Sequence, residues 1–479
     1  MRVNIMKPIL LGSAAGFVLT MGASAADLPS RKAAPVQYVK ICDAYGAGFF
    51  YIPGTETCIR IGGYVRAEYQ YTPGKSIRST TGLAANNFVT QVGGDQDETG
   101  MEIRGRIDVD ARTQSAWGTI QTVVMLRGTN TDGIRAAPTT VSNMTGKAPA
   151  ANGSTAMTME RAYIRFAGIT AGVGSENFVT FPSYVYHSNI AAGFPNGIKQ
   201  LAYTATFGGG FSATVAIESK YDFNGSNGVS NYTYNNTPGT GQVFVGNIRA
   251  DQAWGFVQLS AAVTSNTFAS TGAPVVTNGI AGAPGNNLLS GSSSMTAWAI
   301  GIGGRFRLDQ ISKGDTFSFT AAYATGLNGL VGCSVISDCS DSSSRRSSGG
   351  IQYSVPNAIL TSSVGGVNTY SQTKSWNVAG IFQHYWTPSW RSNLEVGSNQ
   401  IIVPSAAASA GLQLGSASIW GVVGNLIWSP VPRFDIGVEL AYYQNKFSLQ
   451  NAPAAYVAAG SPGLSNSNWS GKLRLERTF

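Results

Sequence analysis

The amino-acid sequence predicts an all-β protein, a 16-stranded antiparallel transmembrane β-barrel. Three observations carry this. Polar and apolar residues alternate with a period of two in sixteen separate segments. The connections between those segments alternate between short and long. The 479-residue chain has only 12% charged residues and a mean hydropathy of +0.01, with no long apolar run beyond residue 25. A membrane helix needs about 20 consecutive apolar residues, whereas barrel strands alternate and average near zero. Aromatic residues at 10% and the low charge exclude a disordered chain.

Residues 1–25 read as a secretory signal peptide. Arg2 and Lys7 supply a positive start, residues 9–21 are apolar and uncharged, and Ala23-Ser24-Ala25 is a small-x-small cleavage site, so the mature chain is expected to begin at Ala26. The rival, a retained membrane anchor, is disfavoured by the short apolar core. Residues 26–57 are then a periplasmic N-terminal segment and 58–479 the barrel. The net charge of +8 is a mild excess on so long a chain, and no Lys/Arg run exceeds Arg345-Arg346, so nucleic acid is not an expected partner.

In 101–112, Met101, Ile103, Gly105, Ile107, Val109 and Ala111 share one face of a strand, and Glu102, Arg104, Arg106, Asp108, Asp110 and Arg112 share the other. Residues 434–442 repeat the pattern, with Asp435, Gly437 and Glu439 opposite the apolar set. In the last segment Ser470, Lys472, Arg474, Glu476 and Thr478 oppose Trp469, Gly471, Leu473, Leu475 and Phe479. Arg477 alone breaks the apolar face, near an end where a long side chain reaches headgroups. Sixteen such strands are expected near 58–72, 99–112, 118–129, 157–167, 169–175, 198–207, 211–219, 241–250, 254–265, 295–308, 315–326, 373–386, 389–400, 417–428, 434–446 and 468–479.

Short connections such as Gly208-Gly-Gly210 and Thr387-Pro388 alternate with long ones, rich in Gly, Ser, Asn and Thr, that read as solvated loops. The nine tryptophans fall into two groups. Trp117, Trp254, Trp386, Trp390 and Trp428 lie beside short turns; Trp298, Trp376, Trp420 and Trp469 lie beside long loops. Two girdles at the membrane–water interfaces follow. In hydrocarbon every backbone polar group needs an internal partner, so the sheet must close. Sixteen to eighteen strands leave an aqueous channel, which polar inward faces suit.

Four cysteines allow three pairings. The local one, Cys42 with Cys58 and Cys333 with Cys339, closes two short loops and suits an oxidising compartment. A zinc site would need CxxC-like spacing or nearby histidines, and the only histidines are His187 and His384. No metal, cofactor or catalytic residue is expected.

Three stretches carry a family resemblance. They are Val39-Lys-Ile-Cys-Asp-Ala-Tyr-Gly-Ala-Gly-Phe-Phe-Tyr-Ile-Pro-Gly-Thr-Glu-Thr-Cys58 running into Ile59-Arg-Ile-Gly-Gly-Tyr-Val-Arg66; Arg161-Ala-Tyr-Ile-Arg-Phe-Ala-Gly168 leading to Gly172-Val-Gly174; and the last strand with its terminal Phe479. Together they resemble the general diffusion porins of alphaproteobacterial outer membranes. The resemblance implies sixteen strands, a homotrimer in the outer membrane of a Gram-negative bacterium, contact with its lipid and lipopolysaccharide, and passive diffusion of small hydrophilic solutes and ions. It makes Phe479 a signal for the outer-membrane assembly machinery, with Arg477 standing where an aromatic or apolar residue is commoner. It also implies an inward-folded third long loop, about 175–197, that narrows the lumen.

The pore-lining set expected around that loop is Arg60, Arg66, Glu68, Glu102, Arg104, Arg106, Asp108, Asp110, Arg161 and Arg165 on the wall, with Glu176 in the loop. The narrow zone is expected to be net positive with weak anion preference, tempered by the wall carboxylates. A substrate-specific channel of the same fold is the main alternative; it would show an aromatic ladder for sugars or a patterned basic track for phosphate, and Tyr64, Tyr163 and Tyr443 are too scattered for the former. A barrel enzyme would need a Ser–His pair oriented by a third group. A plugged transporter would need some 22 strands, and a secreted adhesin would lack paired girdles.

Overall fold

A computed structural model describes residues 40–73, 90–91, 98–133, 154–178, 183–187, 197–219, 235–236, 242–269, 292–331, 351–352, 358–364, 367–405, 413–450 and 465–479. Sixteen long strands make one antiparallel barrel: β1 Cys58–Tyr71, β2 Thr99–Ser115, β3 Gly118–Thr131, β4 Ser154–Phe166, β5 Ile169–Gly174, β6 Ile198–Gly208, β7 Phe211–Ser219, β8 Gln242–Gln252, β9 Gly255–Ala269, β10 Ser292–Arg307, β11 Thr316–Thr325, β12 Lys374–Thr387, β13 Trp390–Ile402, β14 Gln413–Val431, β15 Phe434–Gln450 and β16 Ser465–Thr478. Each pairs with the next, and β16 pairs with β1 from Tyr64↔Thr478 to Tyr71↔Gly471, which closes the ring. All sixteen expected segments are strands, with ends displaced by a few residues.

The barrel is apolar outside and polar over much of its inside, the reverse of a water-soluble protein. Leu440 is 65% exposed and Val215 64%, while Glu218, Glu395 and Asn266 are fully buried. Parity explains this: in β1, Ile61, Val65 and Tyr69 point out, while Tyr64, Glu68 and Gln70 point in. Aromatic residues ring the outside at both rims. Trp390 stacks on Trp428 across β13–β14 beside the short turns, and Tyr442 bridges Trp420 and Trp469 toward the long-loop rim. The tryptophan grouping read from the sequence is therefore an arrangement of outward rings.

One sequence expectation changes here. The connection spanning 327–372 is not all loop: Ala358–Val364 and Val367–Gln372 pair as two further strands, and Ile351–Gln352 pairs with Thr90–Gln91. These segments are rich in residues that favour strands, but lack the clean alternation of a wall strand. Arg477 is exposed at the short-turn rim, where its Nη1 donates to the Pro432 carbonyl in the β14–β15 turn. Phe479 continues the β16 ladder, its N–H donating to the Gly63 carbonyl at 3.0 Å. The leader at 1–25 and the pair Cys333–Cys339 lie outside the described residues.

Candidate functional site

The inner faces of β16 and β1–β4 carry a dense charged wall. Arg66 Nε donates to Glu476 Oε2 at 2.6 Å, and Glu68 accepts from Arg474, so ion pairs cross the β1–β16 closure. Arg104 pairs with Glu102 at 2.6 Å and Arg106 with Asp108 at 2.7 Å. Asp110 is shared by Arg112 at 2.7 Å and Arg60 at 3.5 Å. The Tyr64 ring lies between Arg66 and Arg106, whose guanidinium carbons are 4.9 and 4.7 Å from its centroid. Arg161 is half-buried on β4. Arg165 is exposed, 5.4 Å from the Tyr163 ring and bonded to Thr170 at 3.4 Å, next to the β4–β5 turn.

Register makes this wall costly. Arg66 stands opposite Arg104, Arg106 opposite Arg127, and Glu68 opposite Glu102. Like charges directly opposite each other destabilise a sheet. One remedy is a β-bulge where Met125 pairs with Arg161 and Leu126 with Met159, leaving Glu160 as the extra residue. Its carboxylate lies 3.7 Å from Arg106 and 3.8 Å from Arg127, between two facing cations. Sequence reading missed Glu160 because the bulge breaks the parity of 157–167.

The residues after β5 join distant parts of the barrel. Asn177 donates to Glu218 of β7 and to Gln200 of β6, and its carbonyl accepts from Asn247 of β8 and Gln258 of β9. Ser183 donates to Glu395 of β13 at 2.9 Å, the strand directly across the closed ring from β5. Asn425 of β14 donates to the Tyr184 carbonyl, and Lys472 of β16 to the Tyr186 carbonyl at 3.0 Å. The Arg474 guanidinium stacks 3.7 Å over the Tyr186 ring. Burial raises the Tyr186 phenol well above its ordinary pKa despite the opposing pull of Arg474. The expected loop residue Glu176 is buried.

His187 is held at three atoms. Its Nδ1 is 2.8 Å from Glu439 Oε1, its Nε2 is 3.0 Å from Ser470 Oγ, and its carbonyl accepts the Tyr443 hydroxyl. A serine, a histidine and a carboxylate in this order are the geometric ingredients of a nucleophilic triad. However, Ser470 is 2% exposed and its hydroxyl is engaged by Thr72 at 2.6 Å, by Gln70, and by the Tyr71 carbonyl. The arrangement ties 183–187 to β15 and β16, and the Ser470 hydroxyl is buried among four partners. Glu439 and Arg474 were legible as polar-face residues; what hid the cluster was its sequence separation.

The sequence predicts polar inward faces, but part of the inner face is apolar. On β6–β11 the inward positions include Ala202, Ala216, Val243, Val245, Ala262, Ala297, Ala299, Ala322 and Ala324, all buried. They form one apolar cluster with Phe178 and with Leu327, Leu330 and Val331, which follow β11. Asn266 Nδ2 holds the Gly326 carbonyl at 2.8 Å at the base of that segment. Small inward residues leave room for covering side chains, so this side is a packed core.

Residues 41–57 form a small lobe. Cys42 and Cys58 are disulfide-bonded and buried together with Phe49. Phe50–Tyr51 pairs with the start of β1, and Thr57 meets Thr113 of β2 at 2.8 Å.

Comparison with known proteins agrees with this architecture. A family model described as a porin subfamily matches residues 27–465. Porin Omp2b of Brucella suis biovar 1 is 33% identical over 260 residues, which cover 53% of this chain and 64% of the relative. Porin Omp2b of Brucella melitensis biotype 1 matches with the same identity and coverage. The match thus spans a little under two thirds of the length of these curated relatives. Among solved structures, the outer membrane channel DcaP of Acinetobacter baumannii superposes with a TM-score of 0.53 at 16% identity, covering 90% of this chain and 99% of that one. That likeness shows the fold. With a family match across almost all of the barrel, the chain belongs to the porin subfamily, β-barrels of the Gram-negative outer membrane.

Proposed function

We propose that the protein is a water-filled outer-membrane pore through which small hydrophilic solutes and ions diffuse passively, and that it works as a homotrimer. The observation that carries this reading is a closed barrel with an apolar exterior and a charged interior wall on β16 and β1–β4. Such a wall is costly against hydrocarbon or a dry core and natural against water.

In this reading the segment expected at 175–197, of which 175–178, 183–187 and 197 are described, narrows the lumen. The contacts of Ser183, Tyr186 and His187 with β13, β15 and β16 support it. Water and solutes then follow the charged side, because the β6–β11 side is packed. On the inner faces of β16 and β1–β4, Arg60, Arg66, Arg104, Arg106, Arg112, Arg127, Arg161, Arg165, Lys472 and Arg474 outnumber Glu68, Glu102, Asp108, Asp110, Glu160 and Glu476. Close pairing mutes this excess, leaving weak anion preference. Residues 1–25 serve as the export leader, and the family match beginning at residue 27 fits that role. Lipid, lipopolysaccharide and the assembly machinery are the partners this setting supplies.

Single-channel recording in planar bilayers, with reversal potentials in a KCl gradient, tests the reading. Ohmic steps arriving in threes with a weakly anion-selective reversal potential are expected. Absent conductance would overturn the pore, and clear cation preference would overturn the charge assignment.

A further inference from the structure

We infer that the disulfide-tied lobe at 41–57 is a charge-holding collar on the pore mouth, in which Phe49 is a selectivity-positioning residue for Arg60 and Arg112. The inference rests on the pore reading above and extends it to a second zone, at the short-turn end of β1 and β2, away from the residues of 175–187.

The geometry is specific. Arg60 and Arg112 are inward-facing residues of adjacent strands, two register positions apart on the same face, since Cys58 stands opposite Arg112 and Arg60 opposite Asp110. Their guanidinium carbons lie 5.0 and 4.9 Å from the centroid of the Phe49 ring. Arg112 also lies 5.7 Å from the Tyr45 ring, which packs edge-on against Phe49. Phe49 is only 2% exposed, yet two cations contact its ring. Each guanidinium gains from the negative face of an aromatic ring.

Charge balance gives the collar its effect. Two arginines share the single carboxylate of Asp110, which also accepts from Gln121. The group Arg60, Arg112 and Asp110 therefore carries one net positive charge at fixed positions. An arginine on an open channel wall would spread that charge over many rotamers. Here the lobe removes that freedom. Its own rigidity comes from the Cys42–Cys58 bridge, from the Cys42 N–H donating to the Phe49 carbonyl at 2.9 Å, and from strand pairing of Phe50 with Ile59. Gly48, at φ +89°, passes against the Arg60 side chain, where an added Cβ would lie 3.6 Å from its Cδ. Disulfide, ring and guanidinium groups form one stack from chain to charge.

The test is reversal-potential measurement in planar bilayers at low salt, about 0.1 M, where fixed charge acts over about 10 Å. The proteins compared are wild type, Phe49→Trp, Phe49→Leu, Phe49→Ala, the double variant Arg60→Gln/Arg112→Gln and the double variant Cys42→Ser/Cys58→Ser. The arginine double variant is expected to lower the anion-to-cation permeability ratio by about twofold, since it removes two fixed positive charges that raise the local anion concentration at the mouth. Phe49→Leu, Phe49→Ala and the cysteine double variant should move the ratio in the same direction and raise open-channel noise, while Phe49→Trp keeps the wild-type value. Phe49→Leu keeps apolar bulk without a ring face, so it separates packing from charge positioning even where Phe49→Ala fails to fold. Wild-type selectivity in a folded Phe49→Leu overturns the inference alone. A wild-type protein that inserts without conducting overturns the pore reading and this inference with it.

Discussion

The hydroxyl of Tyr186 occupies the space that a side chain on Gly437 would need: a Cβ built there would lie 2.0 Å from the phenol oxygen and 3.2 Å from the Ile427 side chain. Gly437 is on the inward face of β15, so the wall omits a side chain where the ring seats. Gly437→Ala is expected to lift Tyr186 off the wall, at an overpacking cost of about 1–3 kcal/mol. Thermal unfolding in detergent and single-channel conductance check this: the midpoint should fall and the conductance should change. Gly424→Ala, whose Cβ would meet nothing closer than 3.8 Å, should leave both unaltered.

Glu160 is expected to set selectivity through neutralisation. Glu160→Gln keeps the bulge and removes the anion between Arg106 and Arg127. The anion-to-cation permeability ratio should rise by about twofold at low ionic strength and return toward the wild-type value near 1 M salt, where the Debye length is about 3 Å. An unchanged ratio at low salt would show that this pair lies off the ion path.

The serine, histidine and glutamate cluster is expected to hold structure and not to hydrolyse. Ser470→Ala should leave conductance near wild type and should abolish no ester-cleaving activity, assayed with a chromogenic short-chain ester. His187→Ala should have the larger effect, because it leaves the buried Glu439 without its imidazole partner. Loss of such a partner costs about 1–3 kcal/mol. Increased open-channel noise and a lower unfolding midpoint are the readouts.

The Cys42–Cys58 bridge spans 16 residues. A loop of that length contributes about 3 kcal/mol in the chain-entropy view. With reductant present, limited proteolysis is expected to cut within 43–57 while the barrel strands remain intact. Equal resistance with and without reductant would show that the strand pairing of Phe50–Tyr51 holds the lobe unaided.

The stacked pair Trp390 and Trp428 points outward, at the level where a ring is buried and its N–H stays wet. In vesicles containing brominated lipids, tryptophan fluorescence should be strongly quenched, and less so with bromine near the chain terminus than near the headgroup. The reverse order would place the rows at the bilayer centre.

The strand ladder was legible because alternation is local: six residues such as Met101 to Arg106 already reveal two faces. The wall arginines Arg104, Arg106 and Arg112 followed directly from parity. Glu160 did not, since one extra residue in β4 flips the faces beyond it. His187 and Glu439 were hidden for a different reason, being 252 positions apart; no short window contains the contact. The packed side was missed because Ala297, Ala299, Ala322 and Ala324 are too small to declare a facing, and only Phe178 and Leu330 settling on them makes those positions a core.

The β1–β16 closure has a consequence in time. Every other wall junction joins consecutive strands, so it can form as soon as both exist. This one pairs Tyr64 with Thr478, and it has no local turn to set its register. A slip by one residue would send Lys472 and Arg474 into hydrocarbon and turn Leu473 and Leu475 toward water. The ion pairs Arg66–Glu476 and Glu68–Arg474 recognise the correct alignment across the seam. The last strand therefore arrives carrying its own proofreading marks, and a barrel that closes out of step should stay in the periplasm as a substrate for proteases.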